Sequence, residues 1–135
     1  MSALTIPFVN HLGLDIKQQP LSFKPKEHLT NHLNTFHAGA QFTLAETQSG
    51  IFLLEQFPEL EGKVGAVLRN ANVDYKRPAI KTITAFAQVS KESLEKFQEQ
   101  FEKKNRAMIA IDVLIKDSDE VITCKASFTW YVQGL

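Results

Sequence analysis

The stretch His37-Ala38-Gly39-Ala40-Gln41-Phe42-Thr43-Leu44-Ala45-Glu46-Thr47-Gln48-Ser49-Gly50-Ile51-Phe52-Leu53-Leu54-Glu55-Gln56-Phe57 decides how this chain folds. Drawn as a helix, it carries Phe42, Leu44, Ala45, Ile51, Phe52, Leu53, Leu54 and Phe57 around most of its circumference, and Pro58 stops it. Such a helix would be roughly 30 Å long at 1.5 Å per residue. A helix that is apolar on most sides has to be surrounded, because no single face can turn all of that surface away from water.

The rest of the chain supplies the wrapping. From Val121 to Val132, Ile122, Cys124, Ala126, Phe128, Trp130 and Val132 alternate with Thr123, Lys125, Ser127, Thr129 and Tyr131, the period-two pattern of a strand with one buried face. Met108 to Lys116 places Ile109, Ile111, Val113 and Ile115 on one face. The polar turn Asp117-Ser118-Asp119-Glu120 joins these two strands as a hairpin. Lys81–Val89 and Lys63–Tyr75 also read as extended, and Leu21–Lys26 is a shorter strand candidate flanked by prolines. Ser90 caps a second helix, with Leu94, Phe97 and Phe101 on one side. Opposite them Lys91/Glu95, Glu92/Lys96 and Glu99/Lys103 form charge pairs at i, i+4. The expected fold is α+β: one long helix swaddled by a curved, mostly antiparallel sheet of four or five strands, with an amphipathic helix set between strands.

Size and composition agree. The chain has 135 residues, enough for one domain, so residues 1–135 are read as a single unit. Fifteen basic and fifteen acidic residues cancel, which argues against nucleic-acid binding, since that depends on neutralising phosphates. One cysteine makes no intrachain disulfide, and no zinc-ligand spacing occurs, so neither a metal nor a resident cofactor is expected. Neither an export signal at Met1–Pro7 nor an apolar run long enough for a membrane helix is legible. The expectation is a cytoplasmic protein of a reducing compartment.

The chemistry concentrates where a polar loop, Asn31-His32-Leu33-Asn34-Thr35-Phe36, enters the long helix. First-turn amides there lack intrahelical partners and lie at the positive end of the dipole. Small Ala38 and Gly39 let a carbonyl oxygen approach them as negative charge develops on it. Further along, Glu46 is a carboxylate on an apolar rod. If enclosed, it becomes a base competent near neutrality; if not, it opens a solvated stripe continued by Thr47, Gln48 and Ser49. His37 serves either that chemistry or the helix cap. Phe42, Phe52, Phe86 and Phe128 read as core or as pocket lining, and Cys124 as inert packing.

The run Asn31-x-Leu33-x-Thr35-x-His37-Ala38-Gly39, followed by Thr43-Leu44-Ala45-Glu46, resembles the signature of hotdog-fold acyl-CoA thioesterases of the phenylacetate-pathway type. The spacings of six from Asn31 to His37 and nine from His37 to Glu46 fit it. Asp74-Tyr75-Lys76-Arg77-Pro78-Ala79 and the last strand resemble further parts of that family, so the likeness spans nearly the whole chain. Three positions depart from it. Ala38 and Asn34 stand where the family has glycines, and Leu68 falls near the position where some relatives carry a water-orienting Ser or Thr.

The resemblance implies a hotdog fold and thioester hydrolysis. Glu46 would be general base or nucleophile, Ala38 and Gly39 amides the oxyanion hole, His37 the residue fixing the carbonyl, and Asn31 the one positioning water or acyl group. The site would form between subunits of a homodimer or homotetramer, acting on an acyl-CoA or acyl-carrier thioester with coenzyme A part of the substrate. Lys76, Arg77 and Lys81 are candidates for its phosphates, or plain solvated charges. Two alternatives stand beside hydrolysis: a non-catalytic acyl-CoA or acyl-carrier binding module, for which Leu68 speaks, and an acyl-thioester dehydratase or hydratase using His32 with Glu46.

Overall fold

The computed structural model describes residues 6–135. The long helix, here α2, runs from Ala38 to Gln56 with His37 as N-cap and Phe57 as C-cap. Its interior position follows from its composition. Ala40, Leu44, Ala45, Ile51 and Leu53 are buried, and so are Gln41, Thr43, Thr47, Gln48, Ser49 and Gly50. Around it curls one sheet of β1 (Ser22–Phe23), β2 (Val64–Tyr75), β3 (Ile83–Gln88), β4 (Arg106–Asp117) and β5 (Ile122–Gly134). Their order across the sheet is β1-β3-β4-β5-β2 and every pairing is antiparallel. This is the expected arrangement of helix and sheet.

Differences from the sequence expectation are local. The strand predicted over Leu21–Lys26 shrinks to Ser22–Phe23, because Pro20 and Pro25 bracket it and lack ladder donors. A short helix that periodicity did not mark, α1 (Pro7–Leu12), has proline at its start and ends on Gly13 in the left-handed region, φ 79°. The inward alternation of β5 fails at its beginning. Thr123 is fully buried as well as Cys124, and its hydroxyl donates to Gln41 Oε1 at 2.9 Å. Burial pushes the Cys124 thiol up to about 11, in keeping with a packing role.

The inserted helix, α3 (Lys91–Lys104), is capped by Ser90, whose hydroxyl accepts from Ser93 N. Its Lys96–Glu92 and Lys103–Glu99 pairs form at 3.2 Å on the solvent side. The other side builds a second apolar cluster apart from the main one. Phe97 packs on Phe57 with ring centroids 4.7 Å apart, beside Leu53, Ile109, Ile111 and Val132. Among the described residues no helix is long and apolar enough to cross a membrane.

The polar run after Glu46 is not a solvated stripe. Thr47, Gln48 and Ser49 are 6%, 4% and 0% exposed, and their polar groups are internal fasteners. Gln48 Oε1 accepts from the Leu21 amide at 2.7 Å, while its Nε2 donates to Gln19 Oε1 at 3.0 Å, holding the N-terminal segment against α2. Replacing Gln48 by leucine strands the buried Leu21 N–H. The expected cost is about 1–3 kcal/mol of unfolding free energy in a denaturant titration.

Candidate active site

The loop before α2 is tied by its own side chains. Asn31 Oδ1 accepts from Leu33 N (2.9 Å) and Thr35 N (3.1 Å), and its Nδ2 donates to Thr35 Oγ1 (2.8 Å). The turn so formed requires a left-handed residue, and Asn34 supplies it at φ 60°. That explains why asparagine can stand where the resembling family has glycine, since asparagine is the non-glycine residue most at ease in this conformation. Asn31 is thus the organiser of the loop, with one Nδ2 hydrogen beyond the Thr35 bond. The backbone bond from Phe36 N to Ala79 O fixes the loop against the β2–β3 connection, and that from His37 N to Leu29 O ties it to the turn that precedes it, both at 2.8 Å.

His37 ends this loop as the helix cap, with Nδ1 accepting from Gly39 N at 2.8 Å. An acceptor Nδ1 places the proton of the neutral ring on Nε2, as an outward donor on an exposed side chain. A Cβ at residue 39 would lie 3.0 Å from Nδ1, so a side chain there would push the ring aside by a few tenths of an ångström. Of the two expected oxyanion donors, the Gly39 amide therefore holds the His37 ring, while the Ala38 amide has no partner among the described residues. Tyr75, which the sequence reading quoted without assigning a role, donates from its hydroxyl to Ala38 O at 3.3 Å. Its signal in the sequence was its place at the end of a strand, directly before Lys76 and Arg77.

Glu46 lies eight residues into α2, about 12 Å along the axis from Ala38. Its side chain is half-buried and its carboxylate has no hydrogen-bond or ion-pair partner among the described residues. Burial holds its pKa above the ordinary glutamate value of 4.5. One turn toward the N-terminus on the same face, Phe42 packs edge-on against Phe128, with centroids 5.4 Å apart. One turn the other way, Trp130 Nε1 donates to Ser49 Oγ at 2.9 Å. By strand register Ala71 stands opposite Phe128 and Leu68 opposite Trp130, and both pack against the main core as apolar side chains of β2. Leu68 packs against the main core, half-buried.

The basic candidates divide. Lys76 and Arg77 are exposed at the end of β2, with both backbone amides directed to Thr123 O, and sit in the connection that the loop's Phe36 bonds. Lys81 instead pairs with Asp119 of the β4–β5 turn, which raises its pKa through that hydrogen bond. The structure thus brings Asn31, His37, Ala38, Gly39, Tyr75, Lys76 and Arg77 to one end of α2 and leaves Glu46 midway along it. His32 is exposed on the loop.

A long helix capped by a histidine-bearing loop and enclosed by five antiparallel strands is the hotdog fold. Residues 5–132 match the family described as a domain of unknown function, DUF4442, and the chain belongs to that family. No curated protein matches it. Among solved structures it is similar to a Pseudomonas aeruginosa protein, PA5026, described as a probable thioesterase. That match has 20% identity and a TM-score of 0.79, and covers 95% of this chain and 87% of the other. A Haemophilus influenzae thioesterase, HI1161, matches at 18% identity and a TM-score of 0.72, covering 99% and 87%. A Bacillus halodurans protein, BH2602, whose structure was determined with CoA, matches at 18% identity and a TM-score of 0.71, covering 93% and 74%.

Proposed function

We propose that this protein is a thioesterase that hydrolyses acyl-CoA, with Glu46 as the carboxylate that activates water or itself attacks the thioester carbonyl. The observation that carries the reading is Glu46 itself: a half-buried carboxylate with no partner among the described residues, its proton affinity raised by burial, between Phe42 and Trp130. A structural glutamate at such a position would be expected to show a paired charge. The hotdog neighbours called thioesterases, and the one determined with CoA, support the same class.

The chemistry follows from the two ends of the site. The thioester oxygen enters against the Ala38 amide, with the outward Nε2–H of His37 as a second donor. Glu46 draws a proton from water, the hydroxide oxygen adds to the carbonyl carbon, and the carbon–sulfur bond breaks. The departing thiolate takes back the proton. Lys76 and Arg77, the basic side chains beside this end without an ion pair among the described residues, meet the phosphates of coenzyme A.

About 12 Å of helix separates Ala38 from Glu46, too far for both to serve one carbonyl in one chain. The active unit is therefore a homodimer in which Glu46 faces His37 of a second copy. Strand β2 supports this reading. It is a twelve-residue edge paired on one side only, to β5, and such an edge invites another strand.

A panel of acyl-CoA substrates assayed for released thiol tests the proposal, and turnover that requires Glu46 is expected. Binding of acyl-CoA without turnover would make the protein a binding module. Hydration of crotonyl-CoA without thiol release would make it a hydratase.

A further inference from the structure

We propose that Trp130 closes the acyl slot one turn beyond Glu46 and restricts this protein to thioesters of short, compact acyl groups. The inference rests on the thioesterase reading above and specifies its substrate.

The indole is held from two directions. Its Nε1 donates to Ser49 Oγ at 2.9 Å, and the same hydroxyl donates to Glu46 O at 2.7 Å, which locks Ser49 in place as acceptor. Its six-membered ring lies flush on the helix because residue 50 has no side chain. A Cβ at Gly50 would stand 3.2 Å from Cζ2 and 3.4 Å from Cη2. Residues 49 and 50 flank the line of Glu46 on the helix surface one turn further on, so a ring touching both crosses that line.

Phe42, Glu46, Leu68, Ala71 and Trp130 are each only partly buried, so the face beside Glu46 is left incompletely covered on the β2 side. Inward residues of β4 are sealed, Ile109, Ile111, Val113 and Ile115 being at most 5% exposed. None of the residues of β2 is buried, so α2 leaves that wall, with Leu68 and Ala71, only partly covered. An acyl chain that follows this wall from Glu46 toward the C-terminus of α2 meets the indole after four residues, about 6 Å. Beyond it lies the second cluster of Leu53, Phe57 and Phe97, filled by the inserted helix. A long chain can advance only by breaking the Trp130–Ser49 bond and displacing packed rings. In the other direction the Phe42–Phe128 pair bounds the slot.

The test is kcat/KM for acetyl-, butyryl-, octanoyl- and palmitoyl-CoA on the full chain. Since each methylene that fails to fit costs roughly tenfold or more, wild type is expected to lose at least about tenfold from butyryl to octanoyl. Trp130→Ala should raise the octanoyl-to-butyryl ratio at least about tenfold, and Trp130→Phe, which keeps a ring but not the Ser49 bond, by less. A wild-type profile that is flat or rises with chain length overturns the inference. So does an unchanged ratio in Trp130→Ala that retains a cooperative thermal transition. Should Trp130→Ala fail to fold, the wild-type profile and the Trp130→Phe ratio decide. Absence of thiol release with every chain length overturns the thioesterase reading and this inference together, a result distinct from turnover without discrimination.

Discussion

Glu46→Ala is expected to lower kcat/KM for acyl-CoA hydrolysis by about 10²–10⁴-fold, the range contributed by a positioned general base. The loss should appear in kcat, because the carboxylate acts on the water and not on the nucleotide end of the substrate. The wild-type rate should fall on the acid side at a pH above 4.5, since burial raises the Glu46 pKa and protonation removes the base. Stability carries the opposite sign. A carboxyl that binds its proton more tightly when folded costs nothing below pH 4.5, where both states are protonated. The cost sets in as pH rises from there through the raised value. Glu46→Gln should therefore be more resistant to denaturant than wild type at neutral pH, with the gain disappearing in acid. Unaltered turnover in Glu46→Ala would remove the carboxylate from the mechanism.

The second large effect comes from combining two inactive proteins. His37→Ala removes the helix cap and an outward donor, and Glu46→Ala removes the base. If each site draws one residue from each subunit, a heterodimer of these variants contains one site with both defects and one with neither. Random exchange of subunits makes about half of the dimers mixed, so a mixture of equal parts should recover about a quarter of wild-type activity. Each variant alone should stay near background. A mixture no more active than its components, under conditions where mass spectrometry shows that subunits have exchanged, would place both residues of a site in one chain.

Much of this architecture could be read from periodicity alone. Apolar residues around most of His37–Phe57 required an enclosing sheet, and β4 and β5 announced themselves by a run of apolar residues at every second position. What escaped was set by partners remote in the chain. The segment Thr47-Gln48-Ser49 looks solvated in isolation. Its burial depends on the Leu21 amide, 27 residues before Gln48, and on the Trp130 indole, 81 residues after Ser49. Thr123 likewise breaks the alternation of β5 because Gln41, 82 residues earlier, meets its hydroxyl. At the site, the helix-capping loop was legible in the spacing of Asn31, His37 and Gly39. Two features were not. The Tyr75 contact to Ala38 depends on where β2 ends, and the occupation of the Gly39 amide depends on the orientation of the His37 ring. The glycine-to-asparagine departure at Asn34 becomes intelligible only with its positive φ in hand.

The indole that seats against Gly50 is the chain's only tryptophan. It borders both apolar clusters and the face of Glu46, so the molecule carries a native optical reporter at its interior junction. Its emission colour and quenching follow the dryness of that junction, and can be recorded in a cuvette without any label attached.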